Sequence, residues 1–184
     1  MDLVRPALAY LDSYVEALKR DWSHDNMRGV AAAHDELCEI ARNPGEFVRS
    51  LTDPEAKGPP ITLPDGSRVA RLPGFRLWMW DGEFCGSIGL RWQPGTTELP
   101  PYCLGHIGYA VVPWRQRRGY ATRALGLVLP MARELGLAHV DITTDPDNLA
   151  SQRVIAKNGG TLQERFCKGK HYGDREGLLF RICL

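Results

Sequence analysis

The chain has no long apolar run. None of its 184 residues lies in a stretch able to cross a membrane, and its start, Met1-Asp2-Leu3-Val4-Arg5, has no signal-peptide core. These absences predict a cytoplasmic protein with no membrane role. Charge of one sign is lacking as well. Lys and Arg number 23 against 22 Asp and Glu, and the net +1 offers no field for nucleic acid. The cysteines are Cys38, Cys85, Cys103, Cys167 and Cys183, an odd count with no Cys-x-x-Cys spacing. Free, buried thiols are expected, and no metal site. There is no internal repeat and no low-complexity tract.

What is present fits one soluble domain. Apolar residues make up 43% and charged residues 24%. A chain of this length buries roughly 70% of the surface it exposes when unfolded.

Periodicity gives the element order. Leu3 to Pro6 reads as a short strand. Leu8, Leu11, Val15 and Leu18 carry the 3–4 spacing of an amphipathic helix over 7–22, and further helices are expected over 26–41 and 46–51. Residues 53–74 hold five prolines and form a long connection, with a small hairpin at Asp65-Gly66. Such a stretch is either a lid or a plain linker. Strands follow over 75–80 and 83–92, joined at Asp81-Gly82, then a loop over 93–101 and a strand over 103–112. A helix over 119–135 ends at Gly136 and carries Pro130, which costs it one ladder bond. A strand over 139–143, a helix over 148–158 and strands over 161–167 and 178–183 complete the order. This predicts an α/β fold, a mixed sheet with helices on both faces.

The most telling stretch runs from Val111 to Thr122. An apolar strand ends at Pro113, an arginine-rich turn follows, and Gly119-Tyr120-Ala121 opens a helix. Backbone N–H groups at a helix start have no intrahelical partners, and the helix dipole favours an anion there. Gly119 permits close backbone approach, while Arg115, Arg117, Arg118 and Arg123 add positive charge. A pyrophosphate cradle and a plain turn with solvated arginines both fit this stretch alone. The segments His106–Tyr109 and Asn148–Gly160 favour the cradle.

Gln116-Arg117-Arg118-Gly119-Tyr120-Ala121 resembles the Q/R-x-x-G-x-G/A acetyl-CoA signature of the GNAT acetyltransferase superfamily. Asn148, Ser151 and the helix closing in Lys157-Asn158-Gly159 resemble that family's next block, in the same order and spacing. The likeness is best over the last 110 residues or so. It is closest to a bacterial branch that reads Gly-His-Ile-Gly-Tyr before the signature, as residues 105–109 do here.

The resemblance implies an acetyl-CoA-dependent N-acetyltransferase. Its acceptor would be a primary amine: a small molecule, an amino acid, an antibiotic or a protein N-terminus. The sequence leaves room for a homodimer. By the same resemblance, Val111 and Val112 would offer backbone groups to the pantetheine arm. Gln116, Arg117, Arg118, Gly119, Tyr120, Ala121 and Thr122 would wrap the pyrophosphate. Asn148 would reach the pantetheine, although Asp147-Asn148 also suits a helix N-cap, and Ser151 would sit beside the cofactor. His106 on the strand before the signature is the candidate base, because imidazole titrates near neutral pH; the alternative is a histidine bonded inside the sheet. Glu98 in the adjoining loop is a second candidate. Ile155 stands where many relatives carry a tyrosine that protonates the leaving thiolate, and Tyr172 is a distant substitute. A non-catalytic acyl-CoA-binding module is the competing reading.

Overall fold

The structure is a computed structural model describing residues 1–63 and 66–184, with only the backbone of residue 171. It opens with β1 (Asp2–Val4) and three helices, α1 (Leu8–Lys19), α2 (Val30–Arg42) and α3 (Pro44–Ser50). Helix α1 buries Leu11, Tyr14, Ala17 and Leu18, one face at helical spacing. Helix α3 starts at Asn43, whose side chain accepts the Glu46 N–H at 3.0 Å. The 53–74 connection is more ordered than a linker. It begins in β2 (Thr52–Asp53) and contains β3 (Ile61–Thr62) paired with β4 (Arg68–Val69). The expected turn residue Asp65 lies outside the described residues.

Then come β5 (Gly74–Trp80) and β6 (Phe84–Arg91), joined through Gly82 at φ 77°, and β7 (Ile107–Val111). Helix α4 (Tyr120–Glu134) runs through Pro130, and β8 (His139–Thr144), α5 (Leu149–Lys157), β9 (Thr161–Cys167) and β10 (Glu176–Cys183) follow. The strand expected over 103–112 shortens to β7. Residues 103–106 leave the ladder after a turn in which the Cys103 N–H donates to the Pro100 carbonyl at 2.9 Å.

The expected mixed sheet is present as two antiparallel sheets. One has the order β1-β5-β6-β7, with β2 also on β5, and the other has the order β8-β10-β9. They meet at β7 and β8. Gly86 sets how closely β6 and β7 approach. It sits at φ 152°, and a Cβ there would lie 2.3 Å from the Ala110 carbonyl oxygen.

Each face of the larger sheet has its own core. Leu77, Met79, Ile88 and Leu90 pack under α4 and α5 with Leu125, Val128 and Ile155. On the opposite face Trp78, Phe84 and Val112 pack with Tyr14, Leu18 and Trp22. The Tyr14 ring stacks on Trp78 with centroids 4.7 Å apart, and Phe84 meets Tyr14 edge-on at 5.0 Å. Trp78 is fully buried. Trp78→Ala is expected to destabilise the fold by about 3–5 kcal/mol, read as a lower denaturant midpoint at an unchanged slope.

Candidate active site

Strand β7 has two different edges. The Val112 N–H donates to the Cys85 carbonyl at 3.0 Å and the His106 carbonyl accepts the Arg91 N–H at 2.9 Å, so even-numbered positions face β6. Antiparallel alternation then turns the backbone groups of Tyr109 and Val111 toward β8. The two sheets are not laddered together there, so an open slot lies between β7 and β8.

Val111 therefore turns its backbone groups away from β6, and Val112 does not. The Val112 N–H is taken by Cys85, and its carbonyl accepts the Arg115 N–H at 2.9 Å. The Gln116 side-chain amide donates to the Val111 carbonyl at 3.4 Å, at the slot's end.

The signature turn is built for an anion. Gly119 caps α4 in the left-handed region at φ 77° with no side-chain cap, and Arg117 is also left-handed at φ 62°. The first helical bond is from the Arg123 N–H to the Gly119 carbonyl at 3.0 Å. Among the described residues, no acceptor meets the backbone N–H groups of Arg117, Arg118, Gly119, Tyr120, Ala121 or Thr122. A Cβ on Gly119 would meet nothing within 4 Å, so it would project into the open space over these donors. The side chains divide. Arg115 is held by Glu83, with Nε–Oε1 2.7 Å, and Arg123 reaches Asp2 at 3.5 Å. The Tyr120 hydroxyl donates to Asp81. Arg117 is exposed and has no carboxylate partner among the described residues.

At the start of α5 the Asn148 side-chain oxygen accepts the Ser151 N–H at 3.0 Å. The N-cap role is thus present, and the amide NH2 of Asn148 has no partner among the described residues. Ser151 meets a group the sequence reading had not paired with it. The Tyr109 hydroxyl lies 2.8 Å from Ser151 Oγ and 3.3 Å from the Ser151 carbonyl. Burial pushes the Tyr109 phenol up to about 12, so it remains an O–H donor at neutral pH. Ile155, at the position of the missing tyrosine, is fully buried in the core.

The expectation for the base needs correction. His106 is 1% exposed and both of its nitrogens are engaged. Nε2 lies 2.9 Å from the Thr97 carbonyl, and Nδ1 accepts the Asp141 N–H at 3.0 Å. A carbonyl partner requires the proton on Nε2, leaving Nδ1 as the acceptor. Burial lowers its pKa. A neutral imidazole with no free lone pair cannot take a proton from an acceptor. Glu98 is exposed, and its charge is felt by Arg181 on β10. Neither residue lines the cleft described next.

That cleft, about 1020 Å³, lies on the α2 side of the sheet. Its floor includes Arg76, Ser87, Gly89, Arg91 and Gly108, and its walls include Phe47, Leu51, Ile61 and Leu72. The β3–β4 segment is therefore one of its walls. At its base Arg76 donates to Glu36 at 3.2 Å and to His24 Nε2, while the Tyr14 hydroxyl donates to Glu36. Burial, then the charges of Arg76 and Arg91, lowers His24 to about 3. Tyr172 also reaches the cleft, with its hydroxyl 3.4 Å from the Tyr102 carbonyl. Arg76 and His24 are 52 residues apart and Tyr172 and Tyr102 are 70 apart, so no local spacing could announce them. The Tyr109–Ser151 pair had one signal, a tyrosine on the strand that leads into the signature.

The Acetyltransferase (GNAT) domain family matches residues 26–161 of this sequence. The chain belongs to the GNAT acetyltransferase family. Solved GNAT structures share its fold. The RimL ribosomal L7/L12 alpha-N-protein acetyltransferase in complex with coenzyme A aligns at TM-score 0.64 and 14% identity, covering 99% of this chain and 93% of that one. The microcin C7 self-immunity acetyltransferase MccE, in complex with acetyl-CoA and AMP, gives 0.61 and 13%, covering 99% and 91%. An acetyltransferase from Agrobacterium tumefaciens gives 0.55 and 20%, covering 99% and 90%. No curated protein is close enough to count as a match. No described helix of this GNAT chain is long and apolar enough to cross a membrane, and no described side chains form a metal cluster.

Half-buried His24 and buried His106 set an acid limit. Both have pKa values below their ordinary 6.5, so the unfolded chain binds more protons than the folded one as pH falls. Their stabilisation is complete above about pH 6.5 and is lost progressively below it, down to about 3 for His24. The melting temperature is expected to fall over this window, with a shallower fall in His24→Gln, measured by calorimetry at stepped pH.

Proposed function

We propose that the protein transfers an acetyl group from acetyl-CoA to a primary amine. The observation that carries this reading is the run of six unpaired backbone N–H groups around left-handed Gly119, at the end of an open strand edge in a GNAT chain. Bound acetyl-CoA supplies an activated thioester. The residues of the signature turn, Gln116 to Thr122, bind its pyrophosphate through backbone donors and the helix dipole, with Arg117 contributing charge. Val111 and the free amide of Asn148 orient the pantetheine arm.

The acceptor amine reaches the thioester from the cleft. Exposed Arg28 and Ile61 stand at the cleft's rim, and the ammonium proton leaves to solvent there. The outward N–H group of Tyr109 faces the carbonyl oxygen as it gains charge. The nitrogen–carbon bond forms and the carbon–sulfur bond breaks. The Ser151 hydroxyl donates its proton to the leaving sulfur and regains one from the Tyr109 hydroxyl that holds it in place; the second proton, shed by the nitrogen as it becomes an amide, passes through solvent to reprotonate Tyr109. This pair replaces the tyrosine that Ile155 displaces.

Two measurements test the reading. Gly119→Val places a branched side chain over the donors and is expected to weaken acetyl-CoA binding at least tenfold, about 1.4 kcal/mol, by calorimetry on the folded variant. Unchanged affinity would move the cofactor elsewhere. Ser151→Ala is expected to slow single-turnover acetyl transfer by about 10²-fold or more, with Tyr109→Phe lying between it and the parent protein. Binding of acetyl-CoA with no transfer to any amine would instead mark a non-catalytic binding module.

A further inference from the structure

Among the described residues, one arginine of the acceptor cleft, Arg91, has neither an ion pair nor a backbone acceptor. Three other arginines line it. Arg76 is paired with Glu36, Arg28 is paired with Asp35, and Arg71 donates to the Pro59 carbonyl at 3.1 Å and feels the Asp53 charge. Arg91 has no ion pair among the described residues. Its one polar contact is a 4.0 Å approach of Nη1 to Cys103 Sγ. A free guanidinium on an open surface would mean little. This one, though exposed, lines the cleft at the end of β6, and the sheet face beside it carries glycines at 74, 89 and 108.

The placement of these glycines comes from register. Arg91 pairs across strands with Gly74, and on the same face Gly89 pairs with Gly108. A Cβ on Gly108 would come within 3.5 Å of Arg91 Nη2, so the guanidinium lies directly over that glycine. Gly108 precedes Tyr109, whose backbone faces the slot. The charge of Arg91 is felt inside the cleft, where it helps hold His24 neutral. Most of the five N–H donors of Arg91 are thus unused, over a glycine that is one residue from the proposed acetyl site.

We propose that Arg91 binds a carboxylate on the acceptor, and that the acceptors are small amines of the α-amino acid class. The planar guanidinium matches a carboxylate through two parallel hydrogen bonds. A carboxylate paired with the guanidinium that covers Gly108 stands close to the slot, so the amine that reacts must be only a few bonds from it. A peptide N-terminus carries an uncharged amide at that position and leaves Arg91 unpaired. The inference rests on the acetyl-transfer reading for its biological meaning, but binding can be measured without turnover.

The test compares the twenty common L-amino acids with their α-amides, which keep size and amine but lose the negative charge. Each is titrated into the protein at saturating coenzyme A, and each is also assayed for acetyl transfer from acetyl-CoA. At least one amino acid is expected to bind ten times or more tighter than its amide. Arg91→Ala is expected to abolish that preference, Arg91→Lys to restore part of it, and Arg91→Glu to reverse it. Acetyl-CoA affinity and melting temperature serve as controls for folding. Equal binding of every acid–amide pair, or a preference that survives Arg91→Ala, overturns the proposal. A preference without any acetyl product would sustain Arg91 as a carboxylate site and count against the transferase reading alone.

Discussion

The architecture depends on how two sheets are fastened at one point and kept apart beyond it. The fastening is His106. Its backbone N–H donates to the Asp141 carbonyl at 2.7 Å, and its ring accepts the Asp141 N–H at 3.0 Å. One residue of β8 is thus bound through both its backbone groups by a single histidine. Gly105 adds to the closeness, since a Cβ there would lie 3.1 Å from the same Asp141 oxygen. Past this point the strands are not laddered, and the outward groups of β7 are left to face a slot. An unpaired backbone edge is costly when buried, so the slot suits a ligand that can bond to it.

The far end of the slot is held by a second set of contacts, centred on the β5–β6 turn. Glu83 holds Arg115, Asp81 accepts the Tyr120 hydroxyl, and the chain's amino group approaches Asp81 at 3.7 Å. From the opposite side Arg20 of α1 lies over the Trp114 ring at 4.9 Å. Individually these exposed contacts are worth little. Together they fix the turn from both sides, so the free N–H groups of 117–122 point outward from a positioned frame. Half of the expected cationic cluster is used for this scaffolding rather than for a ligand.

The sequence made the frame legible and the chemistry only partly so. Strand alternation, the Gly119 turn and the Asn148 cap are local patterns, and each appears close to where periodicity put it. The role of His106 was not local. It depends on Thr97 and Asp141, 9 and 35 residues away, meeting the two ring nitrogens. Nothing in Gly-His-Ile-Gly-Tyr distinguishes a bonded histidine from a free one. Val112 likewise looked equivalent to Val111 until the register with Cys85 decided which edge each one faces. The acceptor cleft was least visible, because residues from α2, the β3–β4 segment, β5 and β6 meet there through tertiary packing alone. The 53–74 segment, equally readable as lid or linker, proves to be a cleft wall.

The unladdered edge of β7 also bears on how the molecule holds together. A ligand that bonds to Val111 and spans toward α5 acts as a missing strand, joining two sheets whose edges, among the described residues, are hydrogen-bonded only near His106. It binds the folded chain and not the unfolded one, so it adds stability by mass action, about 2.7 kcal/mol at a hundredfold excess over its Kd. The working stability of this fold is then partly a property of the surrounding ligand concentration.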